Sequence, residues 1–348
     1  LEPEPEIPDP IVLEQRLRPS FAATSFTAGA KLRPAPWLML RGSYATGRLP
    51  PPIEGLIDYH RYEQDWSFRD PRRGGTPMTA YGWTLRKAGG SPDLKMVKAS
   101  TLALGAVLTP MGESGPRLAI DFSRIRRSGD PYLLDDDIVL AREEEWPERV
   151  LRAPLTDEDR ESGFTGGRIL EIDVRAINAS RRIVRTLDAR LDWPMRFLGG
   201  ELRLYGTATY QMRNATRGAF EAAEDGVGYR TGPLEWRANG GFDWARGRTE
   251  LGLNVQYFDR YRISALGEFN PPIARQGSAW VPSQAYVDVY AVRRFSLGGR
   301  EAKLNFGIVN LLDKSPPRET GLGDDRPGYS RYGDPRRRRF ELVLSAGL

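Results

Sequence analysis

The feature that most restricts this chain is alternation, in runs of roughly ten residues where every second side chain is apolar and its neighbours are polar. Leu304, Phe306 and Ile308 alternate with Lys303, Asn305 and Gly307. The last run sets Phe340, Leu342, Leu344, Ala346 and Leu348 against Glu341, Val343, Ser345 and Gly347. Leu187, Ala189, Leu191 and Trp193 alternate with Asp188, Arg190 and Asp192, and Leu170, Ile172, Val174 and Ala176 with Glu171, Asp173 and Arg175. Leu234, Trp236, Ala238, Phe242 and Trp244 alternate with Glu235, Arg237, Asn239 and Asp243. A period of two means a strand with two chemically different faces. About twelve such runs are read, over 23–33, 37–46, 97–110, 115–126, 168–178, 182–193, 201–213, 233–245, 248–260, 283–294, 301–311 and 338–348. Each approaches the ~10 residues of a tilted strand that spans a bilayer.

The connections alternate as well. Short ones include Pro34–Pro36, Met111–Gly115, Ala179–Arg181, Arg246–Gly247 and Ser296–Arg300. Long ones are expected near 47–96, 127–167, 214–232, 261–282 and 314–337. Short turns on one side and long loops on the other are the habit of outer-membrane barrels. The expected fold is therefore all-β, an antiparallel transmembrane β-barrel. The mean hydropathy of −0.50 fits, because a barrel strand shows lipid only at every second residue. No window approaches the ~18 apolar residues of a membrane helix.

Trp37, Trp193, Tyr210, Trp236, Trp244, Tyr257 and Tyr261 stand near strand ends, where an interfacial aromatic girdle is expected. The opposite face carries Arg117, Asp121, Glu171, Asp173, Arg175, Asp188, Arg190, Arg203, Glu235, Arg237 and Asp243, the lining of a wet lumen. With no cysteine and one histidine, His60, neither a disulfide framework nor a zinc site of several histidines can form. A net charge of +5 on 51 basic and 46 acidic residues is mixed charge rather than a nucleic-acid footprint. The opening, Leu1 to Pro10, lacks the basic and apolar regions of a signal peptide and reads as an acidic, proline-rich loop.

Site signals are local. Tyr59, Tyr62, Trp66, Phe68, Arg72, Arg73 and Trp83 concentrate rings and guanidiniums in the first long loop. That combination suits a sugar or catechol ligand, which stacks on rings. Asp58, His60 and Ser67 invite a hydrolase reading, but a triad needs its nucleophile held by the base, and these lie in a polar loop. Asp135–Asp137, Glu143–Glu145 and Gly321–Asp325 raise the question of calcium, yet the glycine of a compact calcium loop is out of place. Neither a metal nor a cofactor is expected. Arg336–Arg339 is a basic run suited to lipopolysaccharide phosphates or an anionic ligand.

Several phrases, in order, resemble the barrel of the TonB-dependent receptors. Leu40–Pro50 (LRGSYATGRLP) is similar to that family's LRxSYxxGxxxP, and Ala28–Pro34 precedes it like the family's GxxxRP strand end. Ser91–Lys95 resembles NPxLKPE, with Met96–Val97 in place of the acidic end, and Leu118–Ile125 resembles LSVDYYRI. Glu148–Arg152, Ala176–Ala179 and Thr186–Asp188 follow in the family's order. Phe306–Pro316 resembles the closing VxNLFDK turn and Arg331–Arg337 the YDxxGRR phrase, with Arg336 where the family has Gly and Leu348 where it ends in Phe. The resemblance covers about Pro19 to Leu348. It implies that residues 1–348 are the C-terminal portion, roughly half, of a ~22-stranded barrel whose plug and TonB box lie N-terminal to everything seen here. It implies energised uptake of a scarce nutrient such as an iron-siderophore or a saccharide. Expected partners are TonB–ExbB–ExbD through the plug, outer-membrane lipid and lipopolysaccharide, the barrel-assembly machinery and a small-molecule ligand, with no nucleic acid. The alternative is a complete small barrel of about twelve strands acting as an export pore or enzyme. Cut from a larger barrel, the sheet should be open or forced into a smaller closure.

Overall fold

The computed structural model describes residues 19–63, 68–77, 83–263, 271–320 and 328–346. One antiparallel sheet of twelve strands dominates. Its wall strands are β1 (Phe26–Ala35), β2 (Leu38–Leu49), β3 (Val97–Leu108), β4 (Arg117–Tyr132), β5 (Ile177–Phe197), β6 (Gly200–Arg217), β7 (Trp236–Arg246), β8 (Thr249–Phe258), β9 (Gln284–Leu297), β10 (Arg300–Val309) and β11 (Arg339–Ala346). Each pairs with its neighbour in chain order, and the two-residue strand Glu224–Asp225 hangs on β6. Connections alternate short and long without exception, so all long loops leave from one end, the mouth. Among the described residues β1 and β11 do not pair with each other. The sheet is open, and the ladder that a complete small barrel requires is not formed.

Register carries one face across the whole wall. Leu32 lies opposite Leu40, and Leu40 opposite Ala106. The series continues through Ile120, Ala189, Ala208 and Ala238 to Tyr257. At the far edge Phe306 lies between Ala291 and Leu342. Large exposed apolar side chains gather on this face, among them Leu40, Tyr44, Leu104, Ile120, Leu251, Phe306 and Leu344. Apolar surface exposed on this scale marks the side that meets lipid. On β5 it runs from Met195 to Leu187 and on β6 from Leu202 to Tyr210, roughly 27 Å along the strand at ~3.3 Å per residue. Tyr210 and Trp236 stack at its mouthward edge, ring centroids 4.5 Å apart, as expected of the girdle.

The opposite face is polar and self-paired. Arg41 grips Asp121 through Nε and Nη2 of its guanidinium, at 3.1 and 2.7 Å, across the intervening β3. The pair passes over Gly105, the register partner of both residues, where a Cβ would stand 2.1 Å from the Asp121 carboxylate. Gly252 is covered in the same way by its partner Tyr290, whose hydroxyl donates to Asp243 at 2.7 Å. Arg203 pairs with Asp192 at 2.7 Å and Thr209 donates to Asp188 at 2.6 Å.

Two expectations are corrected. The run 168–178 is not a wall strand: Ile169–Asp173 belongs to a separate four-stranded sheet, and the wall resumes at Ile177 without the turn expected at Ala179–Arg181. Alternation reports two unlike faces, not what they touch; here Ile169, Ile172, Val174 and Ala176 are buried in protein. Glu171, Asp173 and Arg175 therefore lie outside the lumen lining. Tyr261 is no girdle residue either, being fully buried beneath the mouth loops.

Candidate functional site

The long loops at the mouth end are folded. β4, β5 and β6 are the longest strands, with 16, 21 and 18 residues. At ~3.3 Å per residue, β5 reaches about 70 Å, well beyond a hydrocarbon core of ~30 Å. The surplus supports a cap. Residues 50–96 and 133–176 supply a sheet of Asp58–Glu63, Thr84–Gly89, Ile169–Asp173 and Val150–Arg152, in that order. Ile169–Asp173 runs parallel to Thr84–Gly89, so the two loops fold only together. Ala88, Leu134, Val139, Leu140, Val150, Ile169, Ile172 and Val174 form its core, with Phe68 and Trp146 packed alongside.

Such a core is small, and the cap is crossed by withdrawn ion pairs. Arg152 holds Asp70 at 2.7 and 2.9 Å and Glu143 at 2.8 Å through both ends of its guanidinium. Burial opposes the Arg152 charge, but the two carboxylates outweigh it and raise its pKa. Arg86 donates to buried Asp136 at 3.0 and 2.9 Å. Arg175 bridges Asp173 and Asp58 at 2.8 and 3.2 Å. Thr156 and Asp159 form a capping box on the short helix Asp157–Glu161. Asp159 also accepts Arg73 Nη2 at 2.6 Å, and chiefly for that reason its pKa falls to about 2.

The expected ligand residues divide. Tyr59 and Tyr62, 38% and 41% exposed, stand on the outer strand Asp58–Glu63, with Arg61 over the Tyr59 ring at 5.7 Å. Trp83 is half-buried beside the same sheet, and Arg72 is half-buried with its Nε 3.4 Å from Glu143. Phe68 and Arg73 turn inward instead: Phe68 lies beneath Arg86, and Arg73 is 5% exposed over Phe164. Trp66 lies outside the described residues. Sequence reasoning missed Arg61, Asp70 and Arg152, and weighed Glu143 only for calcium; the Asp70 and Glu143 carboxylates and the Arg152 guanidinium come from two loops, and no local spacing announces their pairing.

A second cluster holds the remaining loops. Tyr261, Ile263, Val281 and Leu234 are buried together, and Tyr332 stacks on Phe258 with centroids 5.2 Å apart. The Tyr261 hydroxyl donates to Glu319 and accepts from Ser330, which is also held by Gln284 at 2.7 Å. Burial, with the Glu319 carboxylate, pushes the Tyr261 pKa up. Loop 218–235 joins both clusters. Phe220 packs on Trp146 at 5.4 Å under the Arg142 guanidinium, while Arg230 pairs with Glu319.

His60 Nε2 lies 3.3 Å from Asp58 Oδ2 on the outer strand, and Ser67 lies outside the described residues. Asp136 and Glu143 are spent on Arg86 and Arg152. Among the described residues no cluster of three metal-ligating side chains is formed; Gly321–Asp325 lies outside them. The run Arg336–Arg339 is held at home. Arg336 and Arg339 pair with Asp334, which holds its carboxyl well below the usual range. Arg337 pairs with Asp313 at 3.1 Å, and the Arg338 N–H donates to the same carboxylate.

Residues 12–311 match the family described as TonB dependent receptor-like, beta-barrel. No curated protein matches the chain in sequence. Among solved structures, a mutant form of the ferric enterobactin receptor PfeA of Pseudomonas aeruginosa is 13% identical with a TM-score of 0.55, over 93% of this chain and 40% of that one. The siderophore receptor PirA of Acinetobacter baumannii is 12% identical with a TM-score of 0.56, over 93% and 41%. The ferric-catecholate import receptor Fiu of E. coli K12 is 12% identical with a TM-score of 0.52, over 91% and 34%. At such identities the likeness is one of fold. The chain spans about 40% of the length of the first two.

Proposed function

Because the chain belongs to the TonB-dependent receptor-like β-barrel family of the outer membrane, we propose that it forms part of the wall and mouth of a receptor importing a ferric siderophore. The observation that carries this is the cap: long loops fold into two packed clusters over a polar-faced wall, and leave Tyr59, Arg61 and Tyr62 outward. Loops on a rigid scaffold are where recognition is built. Rings beside a guanidinium suit an anionic ferric catecholate, whose catechol rings can stack and whose charge attracts cations. Trp66, Arg72 and Trp83 extend that surface in this reading, and Phe68 and Arg73 support it from beneath. The similar solved structures include proteins described as siderophore and ferric-enterobactin receptors.

In this reading the sheet continues into further strands. Edges β1 and β11 would otherwise leave backbone groups unpaired in lipid, at several kcal/mol each, and the first two solved relatives are more than twice as long. TonB–ExbB–ExbD would act through a plug within that larger protein, and the barrel-assembly machinery would insert it. The test is binding and uptake of radiolabelled ferric catecholate by iron-starved cells carrying the complete receptor. Tyr59→Ala with Tyr62→Ala should weaken binding about three- to tenfold, with the barrel still heat-modifiable. Uptake of an oligosaccharide in place of the iron complex would refute the siderophore.

A further inference from the structure

Loop 218–235, between β6 and β7, is fastened near its start, in its middle and near its end. Near the start, Phe220 stands edge-on to Trp146 and Tyr132, with ring centroids 5.4 and 6.3 Å away. The Arg142 guanidinium covers its ring at 4.2 Å, and the Tyr132 hydroxyl donates to Glu221 at 2.9 Å. Phe220, Trp146 and Tyr132 all pack on the cluster of Val139, Leu140 and Ala88. Ala88 is the register partner of Tyr59, so this fastening reaches the sheet that carries the outward rings.

In the middle, Glu224 and Asp225 pair with Thr216 and Ala215 of β6. The Asp225 carboxylate accepts the Asn214 and Val227 N–H groups at 3.1 and 3.2 Å, and the Gly226 N–H donates to the Asn214 carbonyl. Near the end, the Arg230 N–H donates to the Arg262 carbonyl and the Arg262 N–H to the Gly228 carbonyl, both at 2.7 Å. The Gly232 carbonyl accepts Arg331 at 3.0 Å, and Leu234 is buried with Tyr261, Ile263 and Val281. Arg230 answers buried Glu319, which the Tyr261 hydroxyl also engages, so this fastening reaches the centre of the second cluster.

The spacing makes these contacts act jointly. Phe220 and Glu224 are four positions apart, and Asp225 and Gly228 three. Tethers that short keep a released group beside its seat, so each contact re-forms at high effective concentration while its neighbours hold. Release of Phe220 lengthens the free chain before Glu224 and raises the entropy of closing it. Release of Glu224–Asp225 does the same to the chain before Gly228. Each fastening therefore stabilises the next along the loop.

We propose that loop 218–235 is a strap that couples the two clusters, so that loosening or tightening of the Tyr59 sheet is felt around Tyr261 and the reverse. The inference rests on the packing of the long loops and not on the identity of the imported ligand.

The test is amide hydrogen exchange on the complete receptor in mild detergent. The reporters are Val139, whose N–H is bonded to the Asp135 carbonyl, and Ile263, whose N–H is bonded to that of Ala279. Phe220→Ala should speed exchange at Val139 about tenfold. At Ile263, in the other cluster, the rise should be about two- to threefold. Arg230→Gln should give the reverse order, with the larger rise at Ile263 and the smaller at Val139. A flexible Gly/Ser insert of about twelve residues between Ala222 and Ala223 keeps the fastenings and slackens the tether. In that background Phe220→Ala should still act on Val139 and no longer on Ile263. Should Phe220→Ala fail to assemble, Phe220→Leu should give the same pattern at smaller size. Responses confined to the substituted cluster overturn the proposal, as does a remote response that persists with the insert. Equal acceleration in wall strands β3 and β10 would mean general loosening and overturn it too. Iron uptake enters none of these readings, so a wrong siderophore would not disturb them.

Discussion

In the cap, Arg152 lies between Asp70 and Glu143 and Arg73 lies against Asp159, both guanidiniums withdrawn from water. On the mouthward rim of the wall, Arg124 faces Arg185 and Arg185 faces Arg213, and Asp225 stands 3.8 Å from Arg213. The same side chain is neutralised internally in one region and left for its surroundings in the other. The cap is a small folded unit in water, and a withdrawn charge there must bring its own partner. Where an arginine's partner sits thus separates the self-paired cap from the rim of the wall.

The sharpest way to break this comparison is at Arg152. Arg152→Ala would strand two buried carboxylates, which typically costs about 3–5 kcal/mol. Amide exchange at Val150, Ile172 and Val174 should then accelerate together while the wall keeps its protection. By contrast Arg203→Ala removes a half-exposed lumen pair with Asp192 and should cost at most about 1 kcal/mol. Similar costs at the two positions would erase the distinction between withdrawn and wet pairs.

The wall offers the next test. Leu304 faces lipid and Asn305 the lumen by register. Leu304→Arg should cost about 2–4 kcal/mol of folding into lipid, and Asn305→Arg much less; equal losses would mean the faces are reversed. A smaller effect is expected at Gly105, where a Cβ meets the Arg41–Asp121 pair. Gly105→Ala should cost about 1 kcal/mol, and most of that should vanish in an Arg41→Ala background, since contacting residues couple. A cost that persists there would place the clash elsewhere.

The wall was legible because alternation and loop lengths state it directly: the expected runs at 97–110, 201–213 and 301–311 overlie β3, β6 and β10. The cap was not, because its defining pairing joins Lys87 to Asp173 in a parallel ladder between distant loops. The run 168–178 alternates as well as any wall strand, so its destination depends on a partner that period alone cannot name. Of the candidate residues, Tyr59 and Tyr62 are exposed on the outer strand of the cap sheet, whereas Arg73 turned inward to a carboxylate more than eighty positions away. The basic rim shows in the i, i+2 spacing of Arg124 and Arg126. On β6 the Met212 bulge hides it by shifting the phase of alternation.

The smallest effect tests the cap's charges through acid. Asp159 accepts from Arg73 and from the Thr156 N–H at 3.1 Å, and in the folded cap its pKa is lowered to about 2. The ordinary carboxylate value, ~3.9, applies when the cap is open. A group whose folded pKa is depressed contributes stability above its unfolded pKa and loses it as pH falls through the folded one. The Asp159 contribution should therefore be complete above about pH 4 and fade toward pH 2. Amide exchange of Phe164 and Thr165, measured across that window with rates corrected for intrinsic acid dependence, should report the fading, because Phe164 N–H donates to the Asp159 carbonyl and Thr165 N–H to that of Arg72. Asp159→Asn should flatten this local acid response. If the Asn variant kept the same fall below pH 4, the Arg73–Asp159 contact would not be what anchors this corner of the cap.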